Sequence, residues 1–242
     1  DQGAQILVLA PPDDSSSPID LRVSRVDPAA RNGVTGTYSV TLEARGNAGI
    51  LGTVSFFGIQ APAYRALLLD PASQKTRLAE LMNRRFPGLA LRDFRVSDPL
   101  DRSGAFELVF HAEVPRFGQL RGEADGSLSV ARPTGIDGHV ERFASEETRR
   151  LPLVLGPPAS WDVTYTYILP EGHRVRELPK GGALETPFGR YRVTWLDEGG
   201  SVTVHVDLAY FVDQVAPAEY PGLRDFVRGF DAIVATPLVL AR

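Results

Sequence analysis

Trp161-Asp-Val-Thr-Tyr-Thr-Tyr-Ile-Leu169 places Trp161, Val163, Tyr165, Tyr167 and Leu169 on one side of an extended chain, and Asp162, Thr164 and Thr166 on the other. That period of two is the pattern of a half-buried strand. Pro170-Glu-Gly172 breaks it. The alternation returns from Phe188 to Leu196 and from Val202 to Phe211, with Gly199-Gly200 between them as a hairpin signal. A helix is predicted next, because Tyr220, Leu223, Phe226-Val227, Phe230 and Ile233-Val234 recur at spacings of three and four. Pro217, Glu219 and Pro221 suit its first turn, and Pro237 ends it. Leu238-Val-Leu240 reads as a closing strand.

Upstream the same grammar repeats. Strands are expected at Ile19 to Val26, Gly36 to Ala44 and Ile50 to Ile59, the last two joined by a turn at Gly46-Asn-Ala-Gly49. Ser73 is expected to cap a helix whose stripe is Leu78, Leu81, Met82 and Phe86, stopped by Pro87-Gly88. Further strands follow at about Leu89 to Ser97, Ala105 to Val114 and Ser127 to Ala131. At the start, Ile6-Leu-Val-Leu9 suits a strand whose partner lies outside this chain, and residues 13–18 read as a polar linker. The expected class is mainly β: β-sandwich-like antiparallel sheets with two amphipathic helices, at about 73–86 and 217–235. The expected division is an N-terminal strand and linker (1–18), a β domain with one packed helix (19–150), and a C-terminal antiparallel β domain closed by a helix (151–242).

Composition narrows the function classes. A hydrophobic fraction of 43% and a charged fraction of 23% are those of a globular chain of 242 residues. The net charge of −4, without any lysine- or arginine-rich run, argues against nucleic acid as a partner. There is no apolar run of membrane-spanning length. With no cysteine, the chain has no disulfide, no thiolate metal ligand and no cysteine nucleophile. The chain begins Asp1-Gln-Gly and its only methionine is Met82, so a processed product or a piece of something longer is expected.

Residues with chemistry in their side chains each have a plainer reading. Asp13, Asp14 and Asp20 lack the spacing and mid-loop glycine of a calcium loop. Glu107, His111 and Glu113 share the outward face of one strand, and His205 and Asp207 share another; successive outward side chains sit ~7 Å apart, too far to close a coordination sphere. Arg84-Arg85 suits a helix C-terminus, and His173 a turn. No catalytic, cofactor-binding or metal-binding residue is singled out, and no cofactor is expected.

Three segments carry a likeness: Leu169-Pro-Glu-Gly-His-Arg-Val-Arg-Glu-Leu-Pro179, Glu185-Thr-Pro-Phe-Gly-Arg-Tyr191 and Glu219-Tyr-Pro-Gly-Leu-Arg-Asp-Phe226. They resemble the C-terminal β region of large exported bacterial transglutaminase-like proteins, which also carry an N-terminal β domain of unknown function. Upstream, Tyr64-Arg65, Asp70-Pro71, Arg84-Arg85-Phe86-Pro87-Gly88 and Arg149-Arg150-Leu-Pro-Leu153 resemble the segment that follows the papain-like core in those proteins. The resemblance implies a Cys-His-Asp triad located elsewhere, because this chain has no cysteine and none of His111, His139, His173 and His205 sits in a matching motif. It further implies a bacterial, periplasmic or secreted setting.

Three readings of function remain. One is a non-catalytic interaction module whose partner is a transglutaminase-like core, another protein of the same system, or a carbohydrate or envelope polymer. For a sugar, Trp161, Tyr165, Tyr167 and Trp195 are the stacking candidates. Another is a hydrolase using Asp93, Asp98, Asp101, Glu107 and His111, which needs two carboxylates facing one cleft. A structural subunit that lends its N-terminal strand to another chain's sheet is the third possibility.

Overall fold

The computed structural model describes residues 2–9, 19–121, 127–130 and 138–242. In the first half the strands are β1 (Gln5–Leu9), β2 (Ile19–Val23), β3 (Gly33–Leu42), β4 (Ala48–Phe57), β5 (Ala90–Val96), β6 (Phe106–Val114), β7 (Gly118–Arg121) and β8 (Ser127–Val130). The second half adds β9 (Leu153–Val154), β10 (Ala159–Ile168), β11 (Arg174–Glu177), β12 (Gly182–Thr186), β13 (Gly189–Asp197), β14 (Ser201–Tyr210), β15 (Gln214–Val215) and β16 (Leu238–Ala241). The helices are α1 (Ala61–Leu67), α2 (Gln74–Asn83), α3 (His139–Phe143) and α4 (Tyr220–Val234). The mainly-β class and both long helices are as the periodicity predicts.

The alternating strands build one eight-stranded sheet in the order β12-β13-β14-β10-β3-β4-β6-β5. A smaller sheet, β11-β16-β8-β7, includes the predicted closing strand. The large sheet departs from the antiparallel expectation at its centre, where β3 and β10 run parallel, Gly33 opposite Ser160 through Thr41 opposite Ile168. A period of two reports which face is buried and says nothing about strand direction, so alternation alone does not distinguish the two pairings.

One face of this sheet is the core. Tyr38 and Tyr165, opposite one another across the parallel ladder, stack with ring centroids 4.4 Å apart. α2 adds Leu78 and Met82 to the same core, followed by Phe86. α4 lays Phe226 and Phe230 against Tyr191 of β13 at 5.4 and 5.6 Å. Leu128, Val130, Leu238 and Leu240 bring the small sheet into it. The large sheet takes β3 to β6 from before residue 150 and β10 and β12 to β14 from after it, so ladder and core run across the expected boundary.

Three local expectations are corrected. β1 pairs with β2 inside the chain, Leu7 opposite Leu21, and needs no outside strand. Ser73 precedes α2 without capping it; its hydroxyl donates to Asp70 O (3.3 Å), while Asp70 Oδ1 accepts Ala72 N–H (3.1 Å). α4 begins at Tyr220 with Pro221 in its first turn, so Pro217 lies ahead of it. The calcium candidates Asp13 and Asp14, with the linker around them, lie outside the described residues, as does the side chain of Asp20.

Candidate functional site: a groove beside the first short helix

Asn32, fully buried at the start of β3, sets the geometry from which the site grows. Its Nδ2 donates to Pro158 O and to Gln2 Oε1, both at 3.0 Å. Its Oδ1 accepts Gln2 Nε2–H at 2.9 Å and Ile59 N–H at 3.2 Å. Gly58 turns the chain there with φ +55°, and a Cβ at that position would sit 2.2 Å from both Arg31 O and Asn32 Oδ1, so only glycine fits. The turn directs α1 across the edge of the core, with Ala61, Arg65 and Leu68 facing inward.

The opposite wall is the loop between β5 and β6. Asp98 Oδ1 accepts Leu100 N–H (2.9 Å), and Asp101 Oδ1 accepts Ser103 N–H (2.9 Å) and its hydroxyl (2.7 Å). These turns of the Asx type hold the loop open and present Pro99, Leu100 and Arg102 toward α1. Between the walls lies a groove of about 560 Å³, within the size range of ligand sites. Pro62, Ala66 and Leu69 line it on the helix side. Leu69 and Leu100 are 51% and 72% exposed, so both present apolar surface to solvent.

Arg65 joins the walls. It is only 9% exposed, its Nη2 donates to Gly104 O at 2.6 Å, and its guanidinium carbon lies 5.8 Å from the centre of the Phe106 ring. Its Nη1 is buried without a hydrogen-bond partner among the described residues. The Asp101 carboxyl is held below its ordinary value first by the Ser103 hydroxyl and then by the Ser103 amide, with the charge of Arg65 adding to them. Among the described residues the groove is lined by apolar side chains together with Arg65 and Arg102, and by no acid.

Of the hydrolase candidates, Asp93 is opposite His111 across the β5–β6 ladder, while Asp98 and Asp101 lie on the loop beyond it, so the five do not meet in one cleft. Asp93, Asp98, Asp101, Glu107 and His111 are all exposed. Asp98 and Asp101 form turns, Asp93 Oδ1 accepts Phe94 N–H (2.8 Å), and Glu113 pairs with Arg92. Among the described residues no group of three His, Asp or Glu side chains could hold a metal. His205 Nε2 meets Asp162 Oδ1 at 2.9 Å and Arg190 meets Asp207 Oδ2 at 3.4 Å; these contacts offset the like charges of Asp162 and Asp207, which are directly opposite across the ladder. The stacking candidates are in or against the core: Tyr165 and Tyr167 are buried, and Trp161 and Trp195 pack on it half-buried. His173 is a buried turn residue, its Nδ1 3.3 Å from Glu171 O.

Sequence reasoning missed two features. α1 is seven residues long with no side-chain cap, so neither it nor the groove leaves a periodic signal. His139, which no motif marks, is buried at α3 with its Nδ1 2.8 Å from Tyr210 Oη, inside a ring of Phe143, Trp161 and Phe230. Asp231 of α4 accepts the amides of His139 (3.3 Å) and Val140 (2.8 Å). Burial pushes the Tyr210 hydroxyl well above its ordinary value, and Asp231 adds to that. This cluster fastens α3 to α4 and β14.

Among the described residues, no helix is long and apolar enough to cross a membrane. A search of curated proteins gives no match. Among solved structures, a protein from Parabacteroides distasonis described as a "putative protease" matches with 20% identity and a TM-score of 0.43. That match covers 50% of this chain and 24% of the other, so the chain spans about a quarter of that protein's length. Residues 137–240, just under half of the chain, match a family described as a domain of unknown function with a solved structure, DUF3858.

Proposed function

We propose that this chain is a non-catalytic β module of a transglutaminase-like protein of the bacterial cell envelope, acting in the periplasm or outside the cell, and that it holds a segment of a partner protein in the groove beside α1. The observation that carries the reading is the groove itself: apolar walls with the exposed Leu69 and Leu100, built on a rigid turn and a loop pinned by Asp98 and Asp101. The motif resemblance of residues 169–179, 185–191 and 219–226 supports the setting. The chain supplies no cysteine, so a thiol-based reaction would have to come from another part of such a protein. The test is association of the full chain with a purified transglutaminase-like core, followed by calorimetry. Binding at about micromolar strength, weakened tenfold or more by Leu100→Asp, is expected. No association at about 100 μM, or binding indifferent to Leu69→Asp and Leu100→Asp, refutes it.

A second reading, a subunit of a larger assembly, is favoured by one observation. Among the described residues, β1 and β2 pair only with each other and leave Leu7, Leu21 and Val23 exposed. Deleting residues 1–12 and measuring the sedimentation coefficient decides it. A change from oligomer to monomer supports the reading, and an unchanged monomer counts against it.

A further inference from the structure

Among the described residues, the helices and the small sheet pack on the core face of the eight-stranded sheet, and its other face meets solvent, with Thr35, Thr37, Leu51 and Thr53 exposed. The pairing registers set the outward side chains in rows that cross the strands. One row runs Arg192, Asp207, Asp162, Thr35, Ser55, Glu107, from β13 to β6. The next two rows are mostly hydroxyls, with Thr164, Thr37 and Thr53 in the first and Thr203, Thr166 and Ser39 in the second. β3 sends out only the side chains of Thr35, Thr37, Ser39 and Thr41, and β4 sends out no charge. A surface that stays in water ordinarily mixes charges of both signs throughout, whereas loss of charge at the centre of a patch marks the core of an interface. Six strands about 4.8 Å apart and about 30 Å long offer on the order of 800 Å² per copy, which is the share each partner gives to a stable interface. Arg192 and Glu107 stand at the two ends of their row, both exposed and, among the described residues, without an ion-pair partner.

We propose that this face is the contact surface for a second copy of the chain, the two sheets packed face to face about a two-fold axis that runs along the strands between β3 and β10. Such an axis lays β13 on the partner's β6, β14 on its β4 and β10 on its β3, following the strand order of the sheet. Arg192 then faces Glu107 of the partner subunit, and the pair occurs twice because a two-fold contact repeats itself. Asp207 and Asp162 face hydroxyls, and over the three rows no charge meets its like. Leu51, 54% exposed, comes within one strand spacing of the partner subunit's Leu196, 58% exposed, so both lose contact with water. An axis across the strands would instead set Arg192 against Leu196 and leave its charge unpaired. Near-aligned strands are also an ordinary way for two sheets to stack.

The test is sedimentation velocity on the full chain, purified without denaturation, from about 1 to 200 μM. A dimer that dissociates on dilution, with a Kd of about 10 μM, is expected. Arg192→Glu and Glu107→Arg, both at exposed positions, should each weaken it about tenfold, and the double variant, which restores the pair with its signs exchanged, should recover most of that loss. Thr37→Arg, exposed and beside the axis, should abolish the dimer, with thermal melts showing that each variant folds. A monomer at the highest concentration overturns the proposal and leaves the face to a partner of another kind. A dimer indifferent to Thr37→Arg also overturns it, because such a dimer uses another surface. A double variant no tighter than the single ones overturns the two-fold arrangement.

Discussion

Replacing Asn32 by alanine tests whether one buried amide holds together the N-terminal segment, α1 and the strand across the parallel seam. The side chain makes hydrogen bonds to Pro158 O, Ile59 N and the Gln2 amide, at 2.9 to 3.2 Å. Gln2 is half-buried near the chain start and can turn to water, so its loss is small. Pro158 is buried, and its carbonyl would be left without Nδ2; the Ile59 amide would lose its acceptor at the entry to α1. At about 1–3 kcal/mol for the buried Pro158 carbonyl left unsatisfied and about 1 kcal/mol for the half-buried Ile59 amide, the substitution should cost about 2–4 kcal/mol. With a urea slope near 2.5 kcal/mol per molar for a chain of this size, the midpoint should fall by about 1 M with the slope unchanged. Trp161 and Trp195, both packed on the core, report the transition by fluorescence. Hydrogen exchange should quicken first in α1. Asn32→Asp sharpens the test, because an ionised carboxylate would face the Pro158 oxygen and its pKa would be raised by that contact. A raised pKa means the variant's stability is greatest below the unfolded value and falls as pH rises, the reverse of an ordinary paired carboxylate. A midpoint shift below ~0.2 M for Asn32→Ala would refute the assignment of Asn32 as the junction.

Three other outcomes are expected. Gly52→Ala should destabilise the sheet by about 1–3 kcal/mol, because its Cβ would lie 2.3 Å from the Phe110 ring; urea melts of this variant and of Gly52→Ala/Phe110→Leu should show the second change restoring part of the loss, and a double variant no better than the single counts against it. Burial raises the hydroxyl pKa of Tyr38, Tyr167, Tyr191 and Tyr210 above the ordinary 10.0. The unfolded chain then holds fewer protons than the folded one above that value, so the tyrosines' contribution to stability is constant below about pH 10 and should fall above it, by up to about 1.4 kcal/mol per pH unit for each fully buried tyrosine. Tyrosinate absorbance should rise in step with unfolding, and a smooth rise of all seven tyrosines in a chain that stays folded contradicts this. Residues 151–242 expressed alone should associate or precipitate, since β10 loses β3 and β16 loses β8; a soluble, cooperatively melting monomer would contradict the idea that the first half completes their edges.

What the sequence made legible follows from what periodicity encodes. The alternations of β3, β6, β10, β13 and β14, and the stripe of α4, appear because each lies long enough against one core to force a regular pattern. Tyr165, Tyr167, Phe106 and Phe110 are buried where that pattern put them. The short edge strands β7, β11 and β12 are mostly exposed and lack the constraint that writes a pattern. The parallel pairing of β3 with β10 was hidden because both directions alternate alike. The groove was hidden for another reason: its walls come from a seven-residue helix and a loop some thirty positions later, joined by the bond from Arg65 to Gly104. Asp98 and Asp101 were visible as acids, but their work is in backbone hydrogen bonding, which residue type alone does not separate from catalysis.

The central seam also governs the order in which the sheet can be completed. β3 meets β4 after the five-residue turn 43–47, whereas it meets β10 only after more than a hundred residues have been threaded through other elements. By loop-closure entropy that second meeting costs roughly 3 kcal/mol more than the first, so the β3-β4-β6-β5 half should assemble early and wait with one edge open. The register that closes this edge, Gly33 to Ser160 through Thr41 to Ile168, is the same whichever copy supplies β10. At high concentration during refolding, an exchanged dimer can therefore form with every ladder of the monomer intact.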